Sequence, residues 1–195
     1  MSGKTYLSTG AHRGIGRGMS DHYVNHPTLT VVATVRNGEG AQGLLSLPYK
    51  GENTESIVTK FGSASKTDAY DAINDIEAQG VHHIDVAISS AGIAQLNTIE
   101  DGPSEEVMQI NAISVMVLYK ATLPLLRKAP QPARFAFISA ADGSLNGMPK
   151  YPYPNVSYAG FKALANVIVI DNVTKVTKGN TEKFFNEIID RKHPW

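Results

Sequence analysis

Short apolar runs rich in β-branched residues alternate with longer stretches whose apolar positions recur every three or four residues. TYLST (5–9), LTVVATVR (29–36), SIVTKF (56–61), IDVAISSAG (84–92, running into a small-residue turn) and RFAFISA (134–140) have the first character and predict five strands. The second character predicts helices over Gly14–Val24, 67–80, 103–128 and 155–170, with a weaker one in GAQGLLSL (40–47). In TDAYDAINDIEAQG the apolar positions 69, 72, 73 and 76 share one helical face, and Gly80 marks the end. In the 103–128 stretch, Val107, Ile110, Ser114, Leu118, Ala121 and Leu125 follow one face. Pro103 suits the first helical position, Glu105 and Glu106 suit the positive end of the helix dipole, and Pro124 is expected to kink or end the helix. Strands alternating with helices predict βαβ crossovers, a parallel sheet covered on both faces, and a ligand site at the carboxyl ends of the strands.

The totals narrow the class. A chain of 195 residues, 42% hydrophobic and 18% charged, suits one domain with a real core. Lys+Arg and Asp+Glu balance at 18 each, which argues against a nucleic acid or an acidic membrane recruited by bulk charge. With no cysteine, disulfides, thiolate metal sites and cysteine nucleophiles are excluded. No run is read as reaching transmembrane length, and MSGK leads straight into a strand without a secretory pattern, so a cytoplasmic location is the expectation. The histidines at 12, 22, 26, 82 and 83 lack a convincing ligand set and read as surface residues rather than a metal site.

The chemistry is concentrated in YLSTGAHRGIGRGMS (6–20). Gly10, Gly14 and Gly16 stand between the first strand and first helix, in a turn whose torsions glycine adopts cheaply. Such a turn brings the unpaired N–H groups of a helix N-terminus up to a diphosphate. Arg36 lies at the end of the second strand, 20 residues beyond Gly16. A carboxylate at that place would hold the ribose 2′-hydroxyl of NAD, whereas an arginine suits the 2′-phosphate of NADP, and Arg13 inside the turn adds a second positive group.

TGAHRGIG, SSAG, Asn111 and YAGFK (158–162), in that order, resemble the short-chain dehydrogenase/reductase family over residues 4 to about 166. In ATVRN, ATLPLL and YPYPN the wording is similar to fungal ketoreductases of the norsolorinic acid type. The resemblance implies a doubly wound α/β Rossmann fold with a mainly parallel sheet, in a single NAD(P)-binding domain over 1–195 whose part beyond 166 is shortened. It implies NADP(H) held by Gly10, Arg13, Gly14, Ile15, Gly16, Arg36, Ser90, Ala91, Gly92, Asn111, Tyr158 and Lys162. It makes Tyr158 the acid/base, Lys162 its electrostatic partner and ribose ligand, and Asn111 a kinked-backbone anchor for a proton-relay water. A phenol with an ordinary pKa of about 10 is a poor base at neutral pH, and a nearby ammonium favours its ionised form. Tyr158 and Lys162 are four residues apart, hence on one helix face. The substrate class implied is a small or aromatic carbonyl or alcohol, and family members commonly pair through their two long helices.

The chain also departs from the family pattern. The family's serine falls on Ala140, with Ser139 one residue away and Ser144 a remoter substitute. In a regular strand, one step turns a side chain to the opposite face, so Ser139 serves only if the strand end is irregular. Ser89 and Ser90 stand at a motif asparagine, and Gly62 where an aspartate usually meets adenine. After FKALAN no sixth strand, Pro-Gly turn or substrate lid is legible, and the expectation is an internal deletion that joins two helices. Two functions follow: an NADP(H)-dependent ketoreductase, or a catalytically impaired nucleotide-binding relative acting through a partner. A methyltransferase on the same fold would leave the Tyr–Lys pair without a role.

Overall fold

The computed structural model describes residues 3–37, 43–44, 50–144 and 154–176, with side chains in the last helix described to Val167. Five strands form one sheet: β1 (Lys4–Ser8), β2 (Leu29–Val35), β3 (Glu55–Lys60), β4 (Val86–Ser89) and β5 (Arg134–Phe137). Their order is β3-β2-β1-β4-β5, and every pairing is parallel. The order reverses between β1 and β4, the place where sheets of this kind open a crevice for ligands. Val31, Val32, Ala33 and Val35 are all buried, so β2 is covered on both faces, as its unbroken apolar run implies.

The helices follow the periodicity. Helix α1 is Gly14–Val24 and α2 is Asp68–Ala78, whose buried residues are Ala69, Ala72, Ile73 and Ile76, the face read from spacing. Gly80, at φ +92°, turns the chain away after α2. Of the weak helix expected over 40–47, Gly43 and Leu44 are helical and the remainder lies outside the described residues. The long stretch is three consecutive pieces: α3 (Glu105–Met108), a π-helical turn (Gln109–Ile113) and α4 (Ser114–Arg127). Ser104, not Pro103, caps it, accepting the Val107 N–H at 3.3 Å, and Pro124 lies inside α4, three residues short of its end. The last helix, α5, is Val156–Val176. Among the described residues no strand follows β5.

Residues 105–127 correct one expectation. Their length and mean hydropathy of 1.3 match those of a membrane-spanning helix. Their apolarity is accounted for by the core, because Val107, Val115, Leu118, Ala121 and Leu125 are buried.

The chain divides into two compact units, one of Met1–Gly92 with Val117–Ile138 and one of Ile93–Met116 with Ser139–Trp195. The first contains the sheet, α1 and α2. The second contains α3, the π turn and α5. Leu125 is fully buried in the first unit, and the backbone there is tied by Ile84 N–H donating to the Leu125 carbonyl at 3.1 Å. Leu125→Ala is expected to lower unfolding free energy by about 2–5 kcal/mol, read from urea denaturation, because the cavity cannot fully collapse.

Candidate functional site

In the first unit the turn after β1 is built from close approaches. Gly10 (φ +68°) and Gly14 (φ +57°) occupy the left-handed region, as their residue type allows. Gly16 is needed for a different reason: a Cβ there would stand 2.6 Å from the Gly10 carbonyl oxygen and 2.7 Å from that of Thr9. Only a bare α-carbon lets the first turn of α1 pass over the end of β1. A Cβ on Gly10 would likewise press within 3.1 Å of the Ala91 α-carbon.

Thr9, which the motif reading passed over, joins the two strands at the reversal. It is fully buried, and its hydroxyl oxygen accepts the N–H groups of Ser90 and Ala91, both at 3.0 Å. The Thr9 N–H donates to the Ile88 carbonyl and the Ala11 N–H to that of Thr34. The glycine turn and the segment Ser90, Ala91 and Gly92 are thus held as one surface at the carboxyl ends of β1 and β4. Ile15, 60% exposed, lies at the start of α1.

The charge at this end is positive. Arg13 and Arg36 are exposed. Their fields both reach His12, whose pKa lies below its ordinary 6.5, first through desolvation and then through Arg13 and Arg36. His12 Nδ1 is buried without a hydrogen-bond partner in the structure. A cradle that a Cβ would fill, beside two guanidinium groups and an unpartnered ring nitrogen, fits a bound phosphorylated ligand. Position 12 is one of the variable places between the motif glycines, so only its residue type could have drawn attention to it.

Further along this unit, Gly62 stands where the family carries an aspartate. Asp68, at the start of α2, accepts the Gly62 N–H at 3.0 Å and lies 3.6 Å from the Lys60 ammonium. The Ser65 hydroxyl is the largest influence holding this carboxyl below its ordinary range, and the Gly62 N–H and Lys60 add to it. A carboxylate therefore borders Gly62, delivered from a helix six residues on.

In the second unit, α5 carries Tyr158 and Lys162 one turn apart. Lys162 is 4% exposed, and its Nζ lies 5.7 Å from the centre of the Tyr158 ring. A buried ammonium is costly unless compensated, so this placement is specific. Gly143 makes room for it, since a Cβ there would meet the Lys162 Cβ at 2.9 Å. Asn111 is fully buried inside the π turn, and its amide clasps one residue: Oδ1 accepts the Ile93 N–H at 3.0 Å and Nδ2 donates to the Ile93 carbonyl at 2.7 Å. A π turn of this kind, rare in helices, frequently marks functional sites.

Strand β5 ends at Phe137, so Ser139 and Ala140 lie beyond the regular ladder. Ala140 has extended backbone (φ −143°, ψ 152°) and leads into a 3₁₀ turn, Ala141–Gly143. The Ser139 hydroxyl oxygen is buried without a hydrogen-bond partner, and Ser144 is buried within the same unit. No cluster of three or more metal-ligating side chains occurs among the described residues.

Comparison with known proteins gives a consistent result. The family profile described as short chain dehydrogenase matches residues 4–170. A norsolorinic acid ketoreductase of Dothistroma septosporum is 38% identical over 173 residues, covering 85% of this chain and 64% of that protein. A short chain dehydrogenase of Penicillium aethiopicum is 36% identical over 171 residues, covering 85% of this chain and 67% of that protein. Among solved structures, an NADPH-bound carbonyl reductase from chicken fatty liver is similar with a TM-score of 0.74 and 28% identity, covering 87% of this chain and 69% of that one. The chain spans slightly under two thirds of the length of the first of these relatives.

The His12 environment has a measurable consequence. Its folded pKa is depressed, so below pH 6.5 the unfolded chain binds more protons than the folded one. The contribution of this group to stability is therefore present above that pH and lost as pH falls through the window just below it. The His12 ring is expected to titrate below 6.5 by NMR, and to move upward on addition of 2′-AMP, whose phosphate would favour the protonated ring.

Proposed function

The chain belongs to the short-chain dehydrogenase family, and from that premise we propose that it is an NADP(H)-dependent oxidoreductase interconverting a carbonyl compound and its alcohol, with an aromatic ketone as the substrate class. The observation that carries this reading is the buried Lys162 ammonium beside the Tyr158 ring. A cation held there favours the phenolate and brings a group that is inert at neutral pH into the range of proton transfer. The norsolorinic acid ketoreductase and the carbonyl reductase among the similar proteins support the substrate class.

The residues present divide the work. The turn through Gly10, Gly14 and Gly16 would hold the pyrophosphate with backbone N–H groups, together with the adjoining segment Ser90, Ala91 and Gly92. Arg13 and Arg36 take the 2′-phosphate through charge-assisted hydrogen bonds. When bound, the nicotinamide supplies or accepts the hydride. Tyr158 gives its proton to the carbonyl oxygen in reduction and withdraws it from the alcohol in oxidation. Lys162 stabilises the phenolate and bonds the nicotinamide ribose. Asn111, fixed on Ile93, holds the backbone path for a water that returns the proton.

Tyr158→Phe is expected to lower kcat/KM about 100- to 10,000-fold while NADPH still binds, measured by steady-state reduction of a diketone and by NADPH fluorescence. Arg36→Ala is expected to weaken NADPH binding about tenfold to a hundredfold, as a lost bond to a charged group of about 1.5–3 kcal/mol would, and to leave NADH binding unchanged. NADPH binding with no reduction of any carbonyl compound tried would refute the reading.

One observation favours the second reading, a nucleotide-binding relative with impaired turnover: Ala140 has no hydroxyl to orient the carbonyl. Ser139, whose hydroxyl oxygen is buried and unpartnered past the end of β5, is the substitute within the same unit. Removing one such donor elsewhere costs about 100- to 1,000-fold in turnover. If Ser139 serves, Ser139→Ala is expected to lose turnover on that scale. If it does not, Ala140→Ser is expected to raise turnover and Ser139→Ala to leave it unchanged.

A further inference from the structure

The buried side chain of Asn97 is not accounted for by the roles above. It is 7% exposed, fourteen residues before Asn111, in a segment with no regular structure of its own. Its hydrogen-bonding groups are nevertheless spent on the beginnings of two helices. The first N–H groups of a helix have no partner within it. At α5 the Val156 N–H donates to the Asn97 carbonyl at 3.2 Å and the Ser157 N–H to Asn97 Oδ1 at 3.2 Å. The Asn97 N–H in turn donates to the Pro154 carbonyl at 2.6 Å. Asn97 Nδ2 donates to the Gly102 carbonyl at 2.7 Å and to the Ser157 hydroxyl at 2.8 Å. That hydroxyl also accepts the N–H of Ser104, the cap of α3.

We propose that Asn97 is a positioning residue for Tyr158, capping from outside the helix that carries the phenol and fastening that helix to the start of the one that carries Asn111. This rests on the functional reading above. Tyr158 directly follows Ser157, so the rotation and height of its first helical turn are set by the two bonds to Asn97. An asparagine does this without charge. An aspartate would keep the oxygen that accepts the Ser157 N–H, but its second oxygen would stand where Nδ2 donates to the Gly102 carbonyl and the Ser157 hydroxyl. It would also place a negative charge near the start of the helix that carries the phenol and oppose the phenol's ionisation.

That difference gives the test. Asn97→Asp keeps the accepting oxygen but turns a carboxylate oxygen toward the Gly102 carbonyl, so it is expected to fold with a lowered thermal midpoint, and its titration and activity are read well below that midpoint. The Tyr158 phenol, followed by ultraviolet titration against Tyr158→Phe, is expected to titrate higher by roughly half to one pH unit, the size of a unit charge on the order of 10 Å away. In alcohol oxidation the acid limb of the kcat profile should move up equally, and turnover at neutral pH should fall about three- to tenfold. Asn97→Ala adds no charge. It is expected to leave the phenol titration near its original midpoint and to lower kcat about tenfold to a hundredfold with NADPH binding kept, because a small displacement of a reacting group costs that much. A parent-like phenol titration and parent-like kcat in Asn97→Asp would overturn the proposal, and so would loss of NADPH binding in step with kcat in Asn97→Ala. If the parent protein binds no nicotinamide nucleotide, the functional reading fails and the phenol titration alone judges Asn97.

Discussion

The first crossover depends on the near-contact of Gly16 with the carbonyls of Thr9 and Gly10. Because no side chain intervenes, α1 begins directly above the end of β1, the strand at which the sheet order reverses. Thr9 extends the constraint sideways by binding the backbone of Ser90 and Ala91, so the ends of β1 and β4 are joined by one buried hydroxyl. A cavity-free approach of this kind is intolerant: any Cβ at position 16 must displace backbone rather than a flexible side chain, and close-packed interiors resist that. Arg13 and Arg36 lie exposed near this turn, and the fields of both reach His12.

The second unit solves a different problem, the support of ionisable and polar groups away from water. Lys162 is buried beside an aromatic ring, Asn111 has its amide closed on the backbone of Ile93, and Asn97 has its amide closed on two helix starts. For Asn111 and Asn97 the side-chain amide replaces bonds that water would otherwise supply, which is the condition for burying it. The Asn97 bonds reach Val156 and Ser157, the two residues before Tyr158 in α5.

Much of the fold was legible because it rests on local periodicity. The 69, 72, 73 and 76 face of α2 is buried as its spacing requires, and the bounds of α1 match its motif. The edges were less legible. Strand β4 is the four residues Val86–Ser89, so the small-residue turn expected at the end of IDVAISSAG begins at Ser90, a boundary that the run of small residues does not itself mark. Pro124 stays within a helix that packing holds together, and the π turn around Asn111 has no sequence signature, since it is defined by a shift in hydrogen bonding.

The order of motifs by itself determined the family, the parallel sheet and the residues to examine, because a glycine turn and an i,i+4 pair are local patterns that survive in a string of letters. Tertiary structure decided which bare positions are bare for torsion and which for contact, that His12 shares the field of two arginines, and that Asn97 serves α5 from about sixty residues away. Those facts depend on which atoms meet across long chain separations, and sequence spacing carries no information about such meetings until the sheet and its crossovers have brought them together.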